Sequence, residues 1–264
     1  MSYESIQALN WSTLKLLETS PRLLQFRRTT PRRDTESLHI GRAIHACLLE
    51  PEAWEHYVVM PEFSGKGSRA AKAEWLADRP GSEIISAEDY AMVERCAESI
   101  RSHREAMKLI TGGRREEVLR WTDAETGIAC KARLDIVRPR DLCELKSTRH
   151  GTPREFLRDA SRLLYHGQVA WYHDGAIAAG ALPSNADNPS VVAVQTTEPY
   201  DVMAFRLKDM DLSAGRALWQ SLIRRFSECS AANYWPGVAP TLLDYDVMPW
   251  ASMGDGEQFQ EDQF

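Results

Sequence analysis

From Glu116 to Thr148 the sequence alternates apolar and polar residues with a period of two, and no other stretch restricts the fold so tightly. Three runs, "EEVLRWTD", "GIACKARLDIV" and "DLCELKST", are separated by the turn sequences "DAETG" and "RPRD", which predicts three successive antiparallel strands. Closing the second turn over Arg138 to Asp141 sets a register. Val137 then faces Leu142, Ile136 faces Cys143, Asp135 faces Glu144, Leu134 faces Leu145, and Arg133 faces Lys146. One side of this hairpin, Leu134, Ile136, Cys143 and Leu145, needs a core; the other carries Arg133, Asp135, Glu144 and Lys146.

Like charges placed directly opposite one another, about 4.5–5.5 Å apart at Cβ, destabilise a strand pair. A merely solvated face would cross them as Asp–Lys and Arg–Glu, whereas here two like pairs follow in succession. That arrangement has a cost unless a cation sits between the carboxylates. Asp135 and Glu144 at this separation can share a hard divalent ion, and Mg²⁺, with oxygen ligands and retained waters, suits a site completed by a phosphate. Mn²⁺ is predicted to substitute. Lys146, on the same face, can activate an attacking water or stabilise charge developing on phosphorus. The chemistry is phosphodiester hydrolysis, but the D-x(8)-E-x-K spacing by itself leaves it level with the solvated-face account.

Around the hairpin the pattern is helical. "LNWSTLKLLETSPRLLQF" predicts two short helices broken at Pro21, "ESLHIGRAIHACLLEPEAW" a helix ending near Pro51, and residues 86 to 111 an amphipathic helix. The stretch "PEFSGKGSRAAKAEWLADRPGSE" reads as a mobile loop holding a short helix. Pro153 opens a long helix through about Ala179; strands follow at "SVVAVQTT" and "DVMAFRL", then a helix from about Asp211 to Ala232. The fold class is therefore α/β or α+β, a short mixed central sheet flanked by helices, in one domain over residues 1–250 with a helical N-terminal part.

The net charge of −6 disfavours a nucleic-acid partner only until its position is read. Leu243 to Phe264 hold six acids and no Lys or Arg, which leaves 32 acids against 32 bases in the rest. Within that neutral body "RLLQFRRTTPRR" has five arginines in twelve residues, a pattern compatible with either a solvated face or phosphate binding. Residues 251–264 read as an acidic, disordered tail that solubilises the chain, competes with DNA for the basic surface, or docks a partner through Phe259 and Phe264. Cys47, Cys96, Cys130, Cys143 and Cys229 are odd in number and never form CxxC, which argues against a disulfide framework or thiolate metal site and for a reducing, cytoplasmic setting. No apolar run approaches the roughly 20 residues of a membrane span, and "MSYESIQALNW" lacks a signal-peptide pattern.

Three motifs in order over residues 10 to 205 give the chain a resemblance to the PD-(D/E)XK nuclease superfamily, whose core is restriction-endonuclease-like. "GRAIH" matches GxxxH and ends in His45; "RLDIVRPRDLCELK" supplies Asp135, Glu144 and Lys146; "YHGQVAWY" matches QxxxY with Gln168 and Tyr172. This three-motif branch includes RecB-type nuclease domains, Cas4-like proteins and phage RecE-type exonucleases. "HACLLEP", "WTDAETGIACKARLD" and "LYHGQVAWYHDG" look most like the RecE-type, exodeoxyribonuclease VIII-like group. Leu134 and Glu144 stand where many members have Pro and Asp, and the four-cysteine iron–sulfur pattern of some relatives is absent.

The resemblance implies a Mg²⁺-dependent exonuclease acting at duplex DNA ends in recombination, in a bacterial or phage-infected cell, with a single-strand annealing protein as partner and a homo-oligomeric ring as assembly. Catalysis falls to Asp135, Glu144 and Lys146, metal binding to His45, Asp135 and Glu144, and DNA positioning to Gln168, Tyr172 and Tyr165, with His166 a weaker neighbour. Gly41 would let its helix approach the sheet or the DNA backbone. Glu117 is a further candidate contact, although an exposed strand-end glutamate is the plainer account. An endonuclease, a Cas4-like end-trimming nuclease and a non-catalytic DNA-binding module of the same fold remain open alternatives.

Overall fold

The computed structural model describes Tyr3, residues 5–30 and residues 34–244; the predicted tail at 251–264 lies outside them. Two short helices lead, α1 (Trp11–Leu14) and α2 (Pro21–Thr29), joined through a 3₁₀ turn. The sequence dictates their starts: the side chains of Asn10 and Ser20 accept the amides of Thr13 and Leu23, and Pro21 fills the first position of α2, where an amide would have no partner. Next come α3 (Glu36–Leu49), α4 (Pro51–Trp54), β1 (Tyr57–Val59), α5 (Ser68–Ala77) and β2 (Glu83–Ile85). The last two strands named pair in parallel. At three residues each they are too short to show a period, so patterning misses this small sheet.

The helix predicted over 86–111 is two, α6 (Ala87–Ser102) and α7 (Arg104–Ile110). Between them His103 leaves the helical region and its Nδ1 accepts the Ala106 amide at 3.1 Å, so a residue read as helical is an N-cap. The predicted strands are β3 (Arg114–Thr122), β4 (Ala129–Val137) and β5 (Leu142–Thr148). The long helix expected after Pro153 is likewise two, α8 (Pro153–Arg162) and α9 (Tyr165–Ala178), divided at Leu164 with φ +59°. The break separates two environments, since α8 buries only Phe156 whereas α9 is buried along much of its length. β6 (Ser190–Gln195), β7 (Val202–Arg206) and α10 (Asp209–Ala232) complete the described chain.

The main sheet runs β3-β4-β5-β6-β7 and is mixed: β5 and β6 are parallel, the other neighbours antiparallel. A parallel pair needs a crossover, and α8 and α9 supply it. Both faces of the sheet are buried. One core gathers Leu134, Val137, Leu142 and Val191 with Trp171 of α9 and Trp219 of α10; the other gathers Ile136, Cys143, Leu145 and Val192 with residues of α3, α6 and α7. The single apolar face expected of the hairpin is thus divided, with Leu134 on one side and Ile136, Cys143 and Leu145 on the other. The cause lies on the neighbouring strand: Arg115 pairs with Ile136 and Glu117 with Leu134, but Glu116, at φ +49°, takes no place in the ladder opposite Asp135. One left-handed residue resets the alternation.

The five cysteines are buried and free, and no helix among the described residues is long and apolar enough to cross a membrane. α9 and α10 pack at very close range, because a Cβ on Gly215 would collide with the carbonyl of His166. The contact is locked by Asp174, which accepts Arg216 Nε at 2.8 Å, Arg216 Nη2 at 2.7 Å and Trp219 Nε1 at 3.0 Å. Burial works to raise the pKa of Asp174, but hydrogen bonds from His173, Arg216 and Trp219 outweigh it and hold the carboxyl below 3.8.

Removing this carboxylate strands a guanidinium and an indole N–H between two helices. Asp174→Ala should cost about 2–4 kcal/mol in urea-unfolding free energy. The wild-type contribution is complete above the ordinary carboxyl range and is lost as pH falls through the depressed value. The variant should therefore lose less stability than wild type on acidification below pH 3.8.

Candidate active site

β4 and β5 pair only at Ile136↔Cys143 and Val137↔Leu142. One step further, Asp135 Oδ2 accepts the amide of Leu145 at 2.7 Å, a side chain standing where a ladder carbonyl would be. From there the strands part, and β5 keeps its pairing with β6 through Thr148↔Gln195. The direct oppositions predicted for Asp135 with Glu144 and Arg133 with Lys146 do not form. Instead Arg133 Nε lies 3.1 Å from Glu116 Oε2. The splayed strands open a cleft of about 690 Å³ whose walls include His45, Glu116, Asp135, Glu144, Lys146 and Tyr172.

α3 lies over this opening and delivers His45. Its Nε2 is 3.1 Å from the carbonyl of Leu145, and a carbonyl can only accept, so Nε2 carries the proton. In the neutral ring the lone pair is then on Nδ1, which points at Asp135 Oδ1 (3.4 Å) and Glu116 Oε1 (3.6 Å). One ligand atom from each of His45, Glu116 and Asp135 lies within 4.8 Å of the others. Glu116 Oε1 is buried with no hydrogen-bond partner. Imidazole and carboxylate donors converging around a buried, unsatisfied oxygen fit a small divalent cation. Without one, burial works against a proton on His45 but Asp135 and Glu116 outweigh it, raising the pKa to about 10. A second proton on the imidazole answers the same negative field that a metal would.

Glu116 is the site residue that sequence reasoning misses. Of the doubled glutamates at the start of β3, alternation singles out Glu117, yet Glu117 sits apart, 3.5 Å from Arg114, as its plainer account held. The doubling itself is the available signal: a period of two cannot choose between adjacent residues when one of them has left the strand conformation.

Glu144 stands beside this trio rather than within it. It is 2% exposed, its Oε2 accepts Lys146 Nζ at 2.9 Å, and its Oε1 is buried without a hydrogen-bond partner. Burial, reinforced by the charge of Asp135, pushes its pKa up to about 7. Burial opposes the ammonium of Lys146, but Glu144 and Asp135 more than compensate and hold its pKa above the ordinary lysine value. From α9, the ring of Tyr165 lies 5.3 Å from Lys146 Nζ, and Gln168 Nε2 donates to Tyr172 Oη at 3.0 Å. Burial, with Glu144 nearby, raises the Tyr172 pKa, so its hydroxyl stays protonated. Tyr165, Gln168 and Tyr172 all line the cleft, whereas His166 faces another groove with Phe205 and Leu207. Gly41 sits over β5, but a Cβ there would meet Ser147 Oγ at an ordinary 3.6 Å, so the helix does not need a glycine to reach the sheet.

Residues 11–241 match the model of a family described as a PDDEXK-like domain of unknown function (DUF3799). Among solved structures, the chain resembles a protein from Eubacterium rectale described as a "Putative exonuclease". The TM-score is 0.62 at 10% identity over 94% of this chain and 96% of that one, a likeness of fold. No curated protein matches the sequence significantly.

A cation that binds the folded cluster stabilises it by mass action. Saturating Mg²⁺ or Mn²⁺ should raise the melting temperature of chelator-treated protein by about 5 °C, and Asp135→Asn or Glu116→Gln should abolish most of that rise. In the chelator-treated protein the folded state keeps a proton on Glu144 that the unfolded chain releases above its ordinary value of 4.5. Stability from this group is thus present at low pH and lost as pH rises to about 7. In Glu144→Gln the loss across that window should shrink, as read by thermal melts from pH 4.5 to 7.

Proposed function

The chain belongs to the PDDEXK-like family, and on that footing we propose that it is a divalent-metal-dependent deoxyribonuclease that digests linear duplex DNA from its ends. The observation that carries the reading is the splayed β4–β5 junction, which brings His45, Glu116 and Asp135 together next to the Glu144–Lys146 pair in one cleft. Such a site fits Mg²⁺ or Mn²⁺ held by His45, Glu116 and Asp135 with Glu144 at its margin, and the ion would supply Lewis acidity toward a phosphate. The choice of an exonuclease of RecE type, which would supply single strands for annealing, rests on the sequence phrases around the motifs. The Eubacterium rectale fold relative, described as a "Putative exonuclease", is in keeping with it.

The chain's own residues divide the remaining work. Lys146, held as a cation by Glu144, is a poor base; it acts instead as a fixed positive donor to the non-bridging oxygens of the scissile phosphate, where charge grows. The buried, partnerless Oε1 of Glu144 is placed to accept a proton from the attacking water. Gln168 and Tyr172, fixed to one another on α9, present an amide and a hydroxyl for the sugar–phosphate backbone.

Lys146→Ala and Glu144→Ala should each lower cleavage of end-labelled linear duplex by at least about a hundredfold. Both side chains are more enclosed than a polar sheet face would be, with side-chain exposures of 14% and 2%, yet the fold should survive. A Glu144 freed from Lys146 can take a proton near neutrality rather than remain a stranded charge. Covalently closed circles should be spared; nicking them at a comparable rate would identify an endonuclease, and no metal-dependent cleavage of either substrate would refute the nuclease reading.

A further inference from the structure

Lys131 lies within β4 and is 5% exposed, an uncommon place for an ammonium. Its Nζ donates to the main-chain carbonyls of Tyr3 at 2.7 Å and Ile6 at 2.9 Å. The leading segment is also stitched to the strand by its backbone. The Leu9 amide donates to Ala129 O at 2.8 Å and the Leu9 carbonyl accepts the Lys131 amide at 2.8 Å, a parallel bridge between Leu9 and Cys130. Ala129, Cys130 and Lys131 already pair with β3 on their other side, so Leu9 occupies the edge of β4 that β5 vacates where the two strands part.

Docked there, the segment forms part of the wall of the active-site cleft, into which Tyr3, Asn10 and Ser12 project alongside Arg133. The Tyr3 ring lies 4.3 Å from Lys131 Nζ and 5.8 Å from the Arg133 guanidinium. Arg133 in turn contacts Glu116 of the proposed metal cluster. An aromatic ring beside a guanidinium in a nuclease cleft matches the chemistry of a nucleotide: the ring offers a stacking face to a base and the cation attracts the neighbouring phosphate. A buried lysine fastening the segment by two carbonyls makes that ring a fixed platform.

We propose that Tyr3 is a substrate-positioning residue whose ring stacks on a nucleobase at the DNA end, with Arg133 beside it on the adjoining phosphate. This rests on the nuclease reading above. The Lys131 anchor sets where the ring stands, so losing the anchor has the same consequence as losing the ring.

The test uses the full-length protein and a fluorescent linear duplex, with binding read in Ca²⁺ and cleavage in Mg²⁺. Tyr3→Ala should weaken binding and raise KM about tenfold, with kcat within about twofold and the melting temperature unchanged, and Tyr3→Phe should restore KM. Lys131→Met should raise KM in the same sense. An abasic nucleotide placed in turn at each of the first few positions should, at one of them, weaken wild type as Tyr3→Ala does and cost the variant nothing further. Wild-type affinity in Tyr3→Ala, or additive losses at every abasic position, would overturn the inference. Because binding is read without turnover, wild type that binds ends but never cuts would discredit the nuclease reading alone, whereas failure to bind would overturn both.

Discussion

The hydrogen bond from the Leu145 amide to the carboxylate of Asp135 is the contact on which the site depends. In an uninterrupted ladder that amide would take a main-chain carbonyl of β4, and the two strands would remain closed. A side-chain oxygen reaches further than a carbonyl, so it satisfies the buried donor while letting the strands diverge. Three consequences follow from the one substitution. β5 is free to run on beside β6, a cleft opens between β4 and β5, and the abandoned edge of β4 becomes available to the leading segment through Leu9. The same carboxylate turns its other oxygen toward His45, so the group that opens the cleft also furnishes it.

The electrostatics of the cleft make sense only with a cation included. Asp135, Glu116 and Glu144 are all largely enclosed, and two of their oxygens have no hydrogen-bond partner. Burying such groups costs stability unless they are paired. Arg133 and Lys146 answer part of the charge, one from each side, and the imidazole of His45 answers more when it takes a second proton. The carboxylates are held where they repel rather than where they would be most stable, which is how strain is stored at functional sites. Compensation comes from the two hydrophobic cores that clamp the sheet from either face and from the Asp174–Arg216–Trp219 lock between α9 and α10.

What could be read in the sequence followed how local its cause was. The three strands, their turns and the Ile136↔Cys143 register are written in adjacent residues, and so are the capped helix starts. The GxxxH and QxxxY spacings place His45, Gln168 and Tyr172 on helices that do reach the cleft. The failures have distant causes. Nothing near His103 or Leu164 in the sequence marks a break, because neither is glycine or proline; each bend comes from the way successive helices settle on different parts of the sheet. Glu116 escaped notice because its backbone leaves the strand conformation opposite Asp135, and a periodic argument assumes that no residue does. The like-charge oppositions that first raised the question of a cation are relieved in the structure by the parting of the strands. The inference of a cation site survives on other grounds, the convergence of His45, Glu116 and Asp135.

The two motif helices also explain why the cleft is held firmly. α3 rests on the second core through Ile40, Ala43, Ile44 and Cys47, which leaves His45 little freedom to move away from Asp135. α9 is wedged more tightly still: Val169, Ala170 and Trp171 are buried in the first core, and Gly167 sits so close to the Trp11 ring that no side chain would fit. Tyr165, Gln168 and Tyr172 are therefore presented to the cleft by a helix that cannot rotate without breaking contacts on several sides. Trp11 belongs to α1, directly after the segment that Lys131 ties to β4. The leading residues thus act twice, bracing the helix that carries Gln168 and Tyr172 and walling the cleft through Tyr3. A site that must align a phosphate against buried charges gains from such fixed supports, since geometry that is already in place need not be assembled when substrate arrives.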